Sequence, residues 1–417
     1  MRETLSDPDK PAHAIIEVLE DGDAIRNDGV RLHAANKNPW YVLATIHGEA
    51  ETAGLGRFDE QNRNTWNTWQ SGMIGPEARR ELTSLYRARS KDETAEIPDR
   101  ARQINFSNTY FPNILQCNEF EFRQTVLFVS SVFERSANFV SAQFSKNANF
   151  HSATFIGEAN FNSANFKTSS TSGVSFRRAH FGRGAFFRAT IFTEDADFKS
   201  AEFCDEAEFS SSQFKSTTTF EEARFLTHVP EFHAAELYDD TAFTLPDEYS
   251  ENWPLIVGDG VMAADKQKKA YNRLRYYMSK SLQIDEEQFF HRMEMRCKRE
   301  TENSKAMKLL YDLFEGVSDF GNSVWRPVFW LRVVWLSGTI AKLDAVKGTY
   351  WPDWLSIPQA MGWSFANLFS FFGFYRRYFK GETLNDVLQL FSATQTVFGF
   401  VLLFLLGLGL RNRFRLR

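Results

Sequence analysis

A phenylalanine recurs at every fifth or sixth position through the middle of the chain, as in ANFVSAQFSKNANFHSATFIGEANFNSANF at residues 137–166. Steps of five and six alternate, so the true repeat is eleven residues long. On an α-helix, at about 100° per residue, successive rings would lie roughly 190° apart, in two narrow stripes on opposite faces. In an extended strand, residues i−2 and i share a side, so the small residue before each ring can face inward with it. The pattern therefore predicts short strands joined by corners.

Four such strands would close a square coil of about 22 residues, and coils stacked at about 4.8 Å can pair through their backbones. Residues 126–245 then predict roughly five and a half coils, or about 26 Å of rod. Weaker units extend to Phe128 and Phe133 upstream and to Leu237 and Phe243 downstream, and in the long step after Phe166 one ring is missing from the regular spacing, at Thr171. The predicted core centres are Phe139, Phe144, Phe150, Phe155, Phe161, Phe166, Phe176, Phe181, Phe187, Phe192, Phe198, Phe203, Phe209, Phe214, Phe220 and Phe225.

The tandem Ala-(Asn/Asp)-Phe-x-x resembles the pentapeptide repeat family, in a variant with Phe at the centres and a sixth residue in alternate units. The resemblance covers little over a quarter of the chain. It implies a right-handed quadrilateral β-solenoid and a mainly β fold class. It implies no activity, because solenoids present surfaces rather than dedicated pockets.

Composition does not point directly to a partner, because the 417 residues carry a formal net charge of only −5. Cys117, Cys204 and Cys297 lie far apart and form no CxxC pair, which is typical of reduced thiols and argues against a zinc site. The stretch MRETLSDPDKPAHAIIEVLEDGD contains charges throughout and no apolar core of a signal peptide. We expect no metal, no cofactor and a cytoplasmic location for the rod.

The strongest membrane signal is FSATQTVFGFVLLFLLGLGL, residues 391–410, which contains no charge. It matches the ~20 residues needed to cross a hydrocarbon core of ~30 Å. Arginines at 411, 413, 415 and 417 follow directly, and the positive-inside tendency places this end in the cytoplasm. Two cytoplasmic ends need an even number of spans, so residues 327–343 are the candidate partner span. Arg332 interrupts that stretch, and an interfacial helix there, leaving one span, is the alternative.

Between these spans, residues 360–379 predict a re-entrant or interfacial segment, because the apolar run is too short to cross a membrane. Span, short segment, span is also the order of a two-helix pore module. The ending LLFLLGLGLRNRFR resembles a membrane region attached to pentapeptide repeats in bacteria, and a related arrangement carries a true potassium-channel pore. No TVGYG-like filter is present here. The candidate pore or membrane-interface residues are Arg332, Arg376, Arg377, Arg411 and Arg413.

Four regions are predicted: an N-terminal α/β cap module (1–103), the solenoid (104–245), a basic helical hairpin with a juxtamembrane segment (246–318) and a membrane region (319–417). Two interpretations of the hairpin remain open, contact with anionic lipid headgroups or a solvated helix face. Its basic residues are Lys266, Lys268, Lys269, Arg273, Arg275, Arg292, Arg296, Lys298 and Arg299. The rod itself is basic up to residue 193 and acidic from 194 to 240.

No phosphate loop, dinucleotide fingerprint, zincin motif or serine elbow occurs, so we expect no enzyme activity. The leading hypothesis is a scaffold anchored in the inner membrane as a multi-pass protein, which presents its rod to a protein partner. The first alternative is an effector whose spans and re-entrant segment form an oligomeric pore. A minor alternative is a DNA mimic that inhibits a DNA-binding enzyme, although we expect no binding of nucleic acid itself.

Overall fold

The computed structural model describes residues 10–49, 57–167, 173–243, 252–254, 261–346, 356–370 and 386–414. The chain forms two compact units, Met1–His291 and Arg292–Arg417. The first contains a β-solenoid with an α/β region before it, and the second is helical. About 43% of the described residues are helical, so the expectation of a mainly β chain is wrong for the whole and right only for the rod.

The rod is built from two- and three-residue strands that pair in parallel with the strand one coil away. In chain order these strands are β4 (Ile104–Asn105), β5 (Thr109–Phe111), β6 (Leu115–Gln116), β7 (Glu121–Phe122), β8 (Val126–Leu127), β9 (Val132–Phe133), β10 (Ala137–Asn138), β11 (Gln143–Phe144), β12 (Ala148–Asn149), β13 (Thr154–Phe155), β14 (Ala159–Asn160), β15 (Asn165–Phe166), β16 (Val174–Ser175), β17 (His180–Phe181), β18 (Ala185–Phe186), β19 (Ile191–Phe192), β20 (Ala196–Asp197), β21 (Glu202–Phe203), β22 (Ala207–Glu208), β23 (Gln213–Phe214), β24 (Thr218–Phe220), β25 (Arg224–Phe225) and β26 (Ala242–Phe243).

These strands form four sheets in the described part of the chain. Sheet 1 contains β4, β8, β12, β16, β20, β24 and β26. Sheet 2 contains β5, β9, β13, β17, β21 and β25. Sheet 3 contains β6, β10, β14, β18 and β22, and sheet 4 contains β7, β11, β15, β19 and β23. The four sides of the predicted square coil are therefore present, over about six turns.

The position at Thr171, where a ring is missing from the regular spacing, does not mark a side of the coil. Val126 pairs with Ala148, 22 positions later, whereas Ala148 pairs with Val174, 26 positions later. The ring of Phe176 stacks directly on that of Phe150, at 4.8 Å between centroids. The corner after Phe166 thus contains four additional residues, and no side of the coil is missing. Thr171 itself lies outside the described residues.

The predicted rings form the core of the rod, and each of the sixteen is at most 3% exposed. Phe161 stacks on Phe139 and Phe187 in the adjacent coils, at 4.9 and 5.0 Å between centroids and within 5° of parallel. Rings on neighbouring sides meet edge to face, as Phe150 and Phe161 do at 5.3 Å. Offset-stacked and edge-to-face arrangements are the ones that aromatic quadrupoles favour. The core is therefore a ladder of phenylalanines.

The ladder begins upstream of the predicted units and includes one ring, Phe232, that was not predicted. Phe106, Phe111 and Phe122 stack below Phe128, Phe133 and Phe144, and Phe232 stacks on Phe209 at 5.0 Å. Phe243 stacks on Phe220 as predicted, and Leu237 is half-buried beside the bridge between Gln213 and Glu236. The pairing of Leu115 with Ala137 puts Cys117 at the level of Phe139, so a thiol replaces one ring. Burial raises the pKa of the Cys117 thiol.

The two halves of the eleven-residue repeat use different corners. Left-handed residues recur every eleven positions, with φ of 56° at Ser141, 54° at Ser152 and 57° at Ser163. They lie in the five-residue halves, where a short turn needs this backbone conformation. The side chains of Asn149 and Asn160 accept hydrogen bonds from the backbone N–H groups two residues later, those of His151 and Asn162. Asparagine before the ring thus supports the tighter corner, as Asx turns do elsewhere.

The predicted N-terminal cap is present. It contains the hairpin strands β1 (Ile15–Val18), β2 (Ala24–Arg26) and β3 (Arg31–Ala34), a short 3-10 helix (Ala35–Lys37), and helices α1 (Pro39–Ala44), α2 (Arg57–Ser71) and α3 (Pro76–Ser90). Strand β3 continues sheet 2 by pairing in parallel with β5. Trp66 is fully buried and stacks on Phe120 at 5.3 Å. The Asn67 amide oxygen accepts from the N–H of Glu121, and the amide nitrogen donates to the carbonyl of Glu119. Asn67 thus makes the hydrogen bonds that the backbone of a further coil would make.

The far end of the rod is covered by the predicted helical hairpin, α4 (Val261–Lys280) and α5 (Ile284–Thr301). Trp253 lies between the last rings and the hairpin, 5.2 Å from Phe225 and 5.0 Å from Phe290. The Tyr277 hydroxyl donates to the carbonyl of Ala235, and the Gln283 amide donates to that of Thr241. Open strand edges are templates for aggregation, and polar side chains satisfy the backbone at both ends.

The second unit contains α6 (Lys305–Ser318), α7 (Trp325–Val346), α8 (Ser356–Leu368) and α9 (Asp386–Phe414). Helices α7, α8 and α9 pack together around Leu331, Leu368 and Leu402. The predicted span 391–410 lies within α9 and the predicted span 327–343 within α7. The predicted segment 360–379 begins in α8, and its residues from 371 onward lie outside the described part of the chain.

Candidate functional site

Sheets 1 and 4 present regular columns of mostly polar side chains on the outside of the rod. The residue directly before each ring points outward, because side chains alternate along a strand. On sheet 1 the column contains the half-exposed Asn149, Ser175, Asp197 and Thr219. On sheet 4 it contains the exposed Gln143 and the half-exposed Asn165, Ile191 and Gln213. Since neighbouring coils are about 4.8 Å apart, each column is a flat and continuous surface.

The acidic half of the rod is partly neutralised by helix α4. Lys266 pairs with Glu206 at 2.5 Å, and Arg273 pairs with Glu231. Hydrogen bonding to Lys266 lowers the pKa of the Glu206 carboxyl. From the sequence, two roles remained open for these basic residues, contact with lipid headgroups or exposure on a solvated helix face. In the structure, Lys266 and Arg273 instead form ion pairs that attach the helical cap to the rod.

Three basic residues of α5 are also paired, with groups of the second unit. Arg292 contacts Asp319 and Arg296 contacts Glu315, both at 2.9 Å, while Lys298 contacts the buried Glu294. Charges engaged in this way are less available to anionic lipids. The pairs therefore count against the hairpin as the principal lipid-binding element.

Sheet 2 brings a histidine, a carboxylate and a thiol together. His180 and Glu202 are register partners in adjacent coils, and Nδ1 of His180 lies 2.8 Å from the Glu202 carboxylate. The Cys204 sulfur lies 3.8 Å from Nε2 and 4.0 Å from Nδ1 of the same ring. One ligand atom from each residue falls within 4.8 Å of the others. Among the described residues, this His180–Glu202–Cys204 cluster is the group that could hold a metal ion.

The charges around the cluster shift the proton affinities of two histidines in opposite directions. Burial lowers the pKa of His180, but interactions with Cys204 and Glu202 outweigh it and raise the pKa to about 9. His13 stacks on His180 at 3.9 Å between centroids. Burial and the neighbouring His180 lower the pKa of His13 to about 4, so His13 is neutral at pH 7.

Sequence reasoning did not find this cluster, because it searched for ligands at short spacings. His180 and Glu202 are 22 positions apart, which is one coil. The signal was available once the coil length was known: residues that differ by about 22 positions lie side by side in the rod. Cys204 is the second residue after Glu202 and begins the next corner.

Helix α9 exposes large apolar side chains along its length. Examples are Val387 at 74%, Phe400 at 67% and Phe404 at 65% exposure. Of the described helices, only α9 is both long and apolar enough to cross a membrane. A core helix of a soluble protein would bury such groups, whereas α9 exposes them.

The N-terminal end of α7 lies next to the C-terminal end of α9. The Asn412 amide, near the end of α9, donates to the carbonyl of Gly321 just before α7. A side chain at Gly409 would lie only 2.9 Å from the carbonyl oxygen of Ser323. The beginning of α7 therefore lies beside the end of α9, and the two helices are antiparallel neighbours.

A buried polar network joins α7, α8 and α9. Gln395 donates to the Val334 carbonyl at 3.0 Å and to the Ser364 hydroxyl at 2.6 Å. Asn367 donates to the Gln395 carbonyl oxygen and accepts from Ser392. These side chains are at most 7% exposed. Gly338 makes the approach possible, because a side chain there would overlap the Gln395 amide.

The candidate pore or interface residues are not gathered into one described site. Arg332 is exposed on α7, one turn into the helix from the predicted start of the span. Arg411 and Arg413 are exposed in the last turn of α9. Arg376 and Arg377 lie outside the described residues.

Comparisons with protein-family models, with curated proteins and with solved structures gave no match for this chain. The architecture is therefore assigned from its own geometry, a β-solenoid of about six turns with stacked phenylalanines.

Proposed function

We propose that this protein is a non-enzymatic scaffold of the pentapeptide repeat type, anchored in the inner membrane and presenting its rod to a protein partner in the cytoplasm. The observation that carries the anchor is the outward-facing apolar surface of α9. Burying such side chains in hydrocarbon stabilises the protein by about 25 cal/mol per Å² of apolar surface. In water this stabilisation would be lost.

We propose helix α7, which is long enough to cross a membrane but less apolar than α9, as a second span beside α9. Phe329, Leu336 and Ile340 are 60%, 51% and 60% exposed, and a helix of 22 residues is about 33 Å long. Because α7 and α9 are antiparallel, Arg326, Arg411 and Arg413 lie toward the same end of the pair, which the positive-inside tendency places in the cytoplasm. Arg332 is the unfavourable feature, at roughly 2.5–3.5 kcal/mol for a charge at mid-membrane.

Helix α6 is proposed to lie in the headgroup region next to these spans. Leu309, Leu310 and Leu313 are 59%, 55% and 53% exposed and form one apolar stripe at helical spacing. Trp330, at the start of α7, donates to the carbonyl of Gly316 and connects the two helices. An exposed apolar stripe opposite charged residues is the pattern of an interfacial helix.

The columns of sheets 1 and 4 are the proposed partner surface. A protein partner is favoured over a nucleic acid, because the columns carry few cations and the acidic end is partly paired with α4. The same pairing reduces the uniform negative charge that a DNA mimic needs. Both rod ends are occupied by caps, so association of copies would use the sides.

A pore remains the second candidate, because polar groups inside a membrane bundle are often functional. Gln395, Asn367 and Ser364 supply the specific observation. Their hydrogen bonds are made to one another and to backbone carbonyls, which favours adhesion between helices over a wet channel.

The scaffold is tested by photo-crosslinking in native membranes. Crosslinkers at Gln143 and Gln213, on sheet 4, should capture one and the same protein, while a crosslinker at the corner residue Ser145 should capture less of it. Loss of that product on Asn165→Arg would map the contact. The proposal fails if no position on sheets 1 or 4 yields a discrete product.

The pore is tested with liposomes that contain the full-length protein, beside a version lacking residues 350–382. The scaffold account predicts no ion flux from correctly inserted protein. Flux that disappears with the deletion would replace the anchor with a channel, and Arg332, Arg376 and Arg377 would then be the residues to neutralise.

A further inference from the structure

We propose that His180, Glu202 and Cys204 form a binding site for a divalent transition metal, with zinc as the ion that the ligand set matches best. One imidazole, one carboxylate and one thiolate are the three ligand types that zinc takes in proteins. The site goes beyond the scaffold function, because it lies on sheet 2 rather than on the columns of sheets 1 and 4.

The spacing of the ligand atoms is close to that of a zinc shell. With bonds of about 2.0–2.1 Å to N and O and about 2.3 Å to S, tetrahedral ligands lie about 3.3–3.6 Å from one another. Here Nδ1 of His180 lies 2.8 Å from the Glu202 carboxylate and 4.0 Å from the Cys204 sulfur. Small side-chain rotations would bring both distances to the required values.

Stacked rings and backbone hydrogen bonds hold the backbone under the site, which favours preorganisation. Phe181 and Phe203, the residues next to His180 and Glu202, stack at 4.8 Å and are buried. The Cys204 N–H donates to the Phe181 carbonyl at 2.9 Å, so the thiol is held against the coil that carries His180. A bound ion would connect two adjacent coils.

A tetrahedral zinc ion has a fourth coordination position, which water or His13 would occupy. His13 belongs to the N-terminal segment and stacks on His180. Arg224, which contacts the other Glu202 oxygen at 2.7 Å, orients that carboxylate and remains outside the set.

The test uses the full-length protein in detergent, freed of metal with a chelator and titrated with Co²⁺ alone. We expect one cobalt per chain, visible d–d bands of a four-coordinate ion and a near-ultraviolet thiolate-to-cobalt charge-transfer band. Zn²⁺ should displace the cobalt and abolish both features, because zinc binds more tightly in the same ligand set.

Cys204→Ser should abolish the charge-transfer band, and His180→Gln should weaken binding by more than about 100-fold, since groups that only orient a ligand already change affinity 10–100-fold. Cys297→Ser and His151→Gln are the matched controls and should bind as the parent does. Glu202→Gln provides a second variant if Cys204→Ser does not fold. No binding at one equivalent, or a charge-transfer band that persists without Cys204, overturns the proposal.

Discussion

Two adjacent phenylalanines of β18 and its following corner provide a direct test of the ladder. Phe187 is fully buried and stacks on Phe161 and Phe209, each at 5.0 Å between centroids. Phe186, one position earlier, points outward and is half-exposed. Phe187→Ala should cost about 3–5 kcal/mol, the range for deleting a buried ring. Phe186→Ala should cost less than about 1 kcal/mol, because surface substitutions are usually small in effect.

Hydrogen exchange followed by mass spectrometry on the full-length protein in detergent measures this difference coil by coil. The Ser163 N–H donates to the Arg188 carbonyl at 2.7 Å, so its exchange reports on the corner beside Phe187. A loss of 3–5 kcal/mol corresponds to about 100- to 4,000-fold faster exchange, at 1.4 kcal/mol per tenfold. Repeats contact only their neighbours, so the acceleration should fade toward the first coil.

Equal acceleration by Phe186→Ala and Phe187→Ala would refute the inward and outward assignment of the strand. A uniform acceleration that reaches Phe111 would refute the nearest-neighbour description of the rod. Either result would require a different account of the core.

Three further predictions follow from other parts of the molecule. Trp66→Ala combined with Asn67→Ala should expose the edge at Glu121 and cause concentration-dependent association, which sedimentation velocity would detect; a monodisperse double variant would count against the cap. Gln395→Leu should lower the free energy of unfolding of the helical unit by about 1–2 kcal/mol, measured in detergent, while Thr394→Leu, on the exposed side, should change it little; equal effects would contradict the network. In chelator, His180 should stabilise the fold fully below pH 6.5 and lose that contribution as the pH rises through about 9, so the difference between the parent and His180→Gln should shrink over that range; a constant difference would contradict the raised pKa.

The sequence predicted the rod well, because its core is periodic. All sixteen rings are buried as expected, and the corner after Phe166 was misread because an insertion and a missing ring look alike in a one-dimensional pattern. Phe232 and Cys117 were missed for a related reason, since one follows an irregular step and the other is not aromatic. The presence of α4, α5 and α9 was predictable from composition and periodicity, but α9 (Asp386–Phe414) is longer than the predicted span 391–410.

The sites were harder to predict, because they depend on contacts between distant positions. The pairing of Lys266 with Glu206 requires knowledge that α4 folds back along the rod. The approach of His180 to Cys204 requires the coil length and the register. The network around Gln395 depends on how three helices cross, which no local pattern records.

The central claim, that α9 crosses the membrane with its arginine end in the cytoplasm, is tested most directly by cysteine accessibility in intact spheroplasts. Val387→Cys and Arg413→Cys place a thiol at either end of α9. A membrane-impermeant maleimide added outside should label the cysteine at position 387 and should label the one at position 413 only after lysis. Labelling of both positions from outside, or of neither before lysis, would contradict the account.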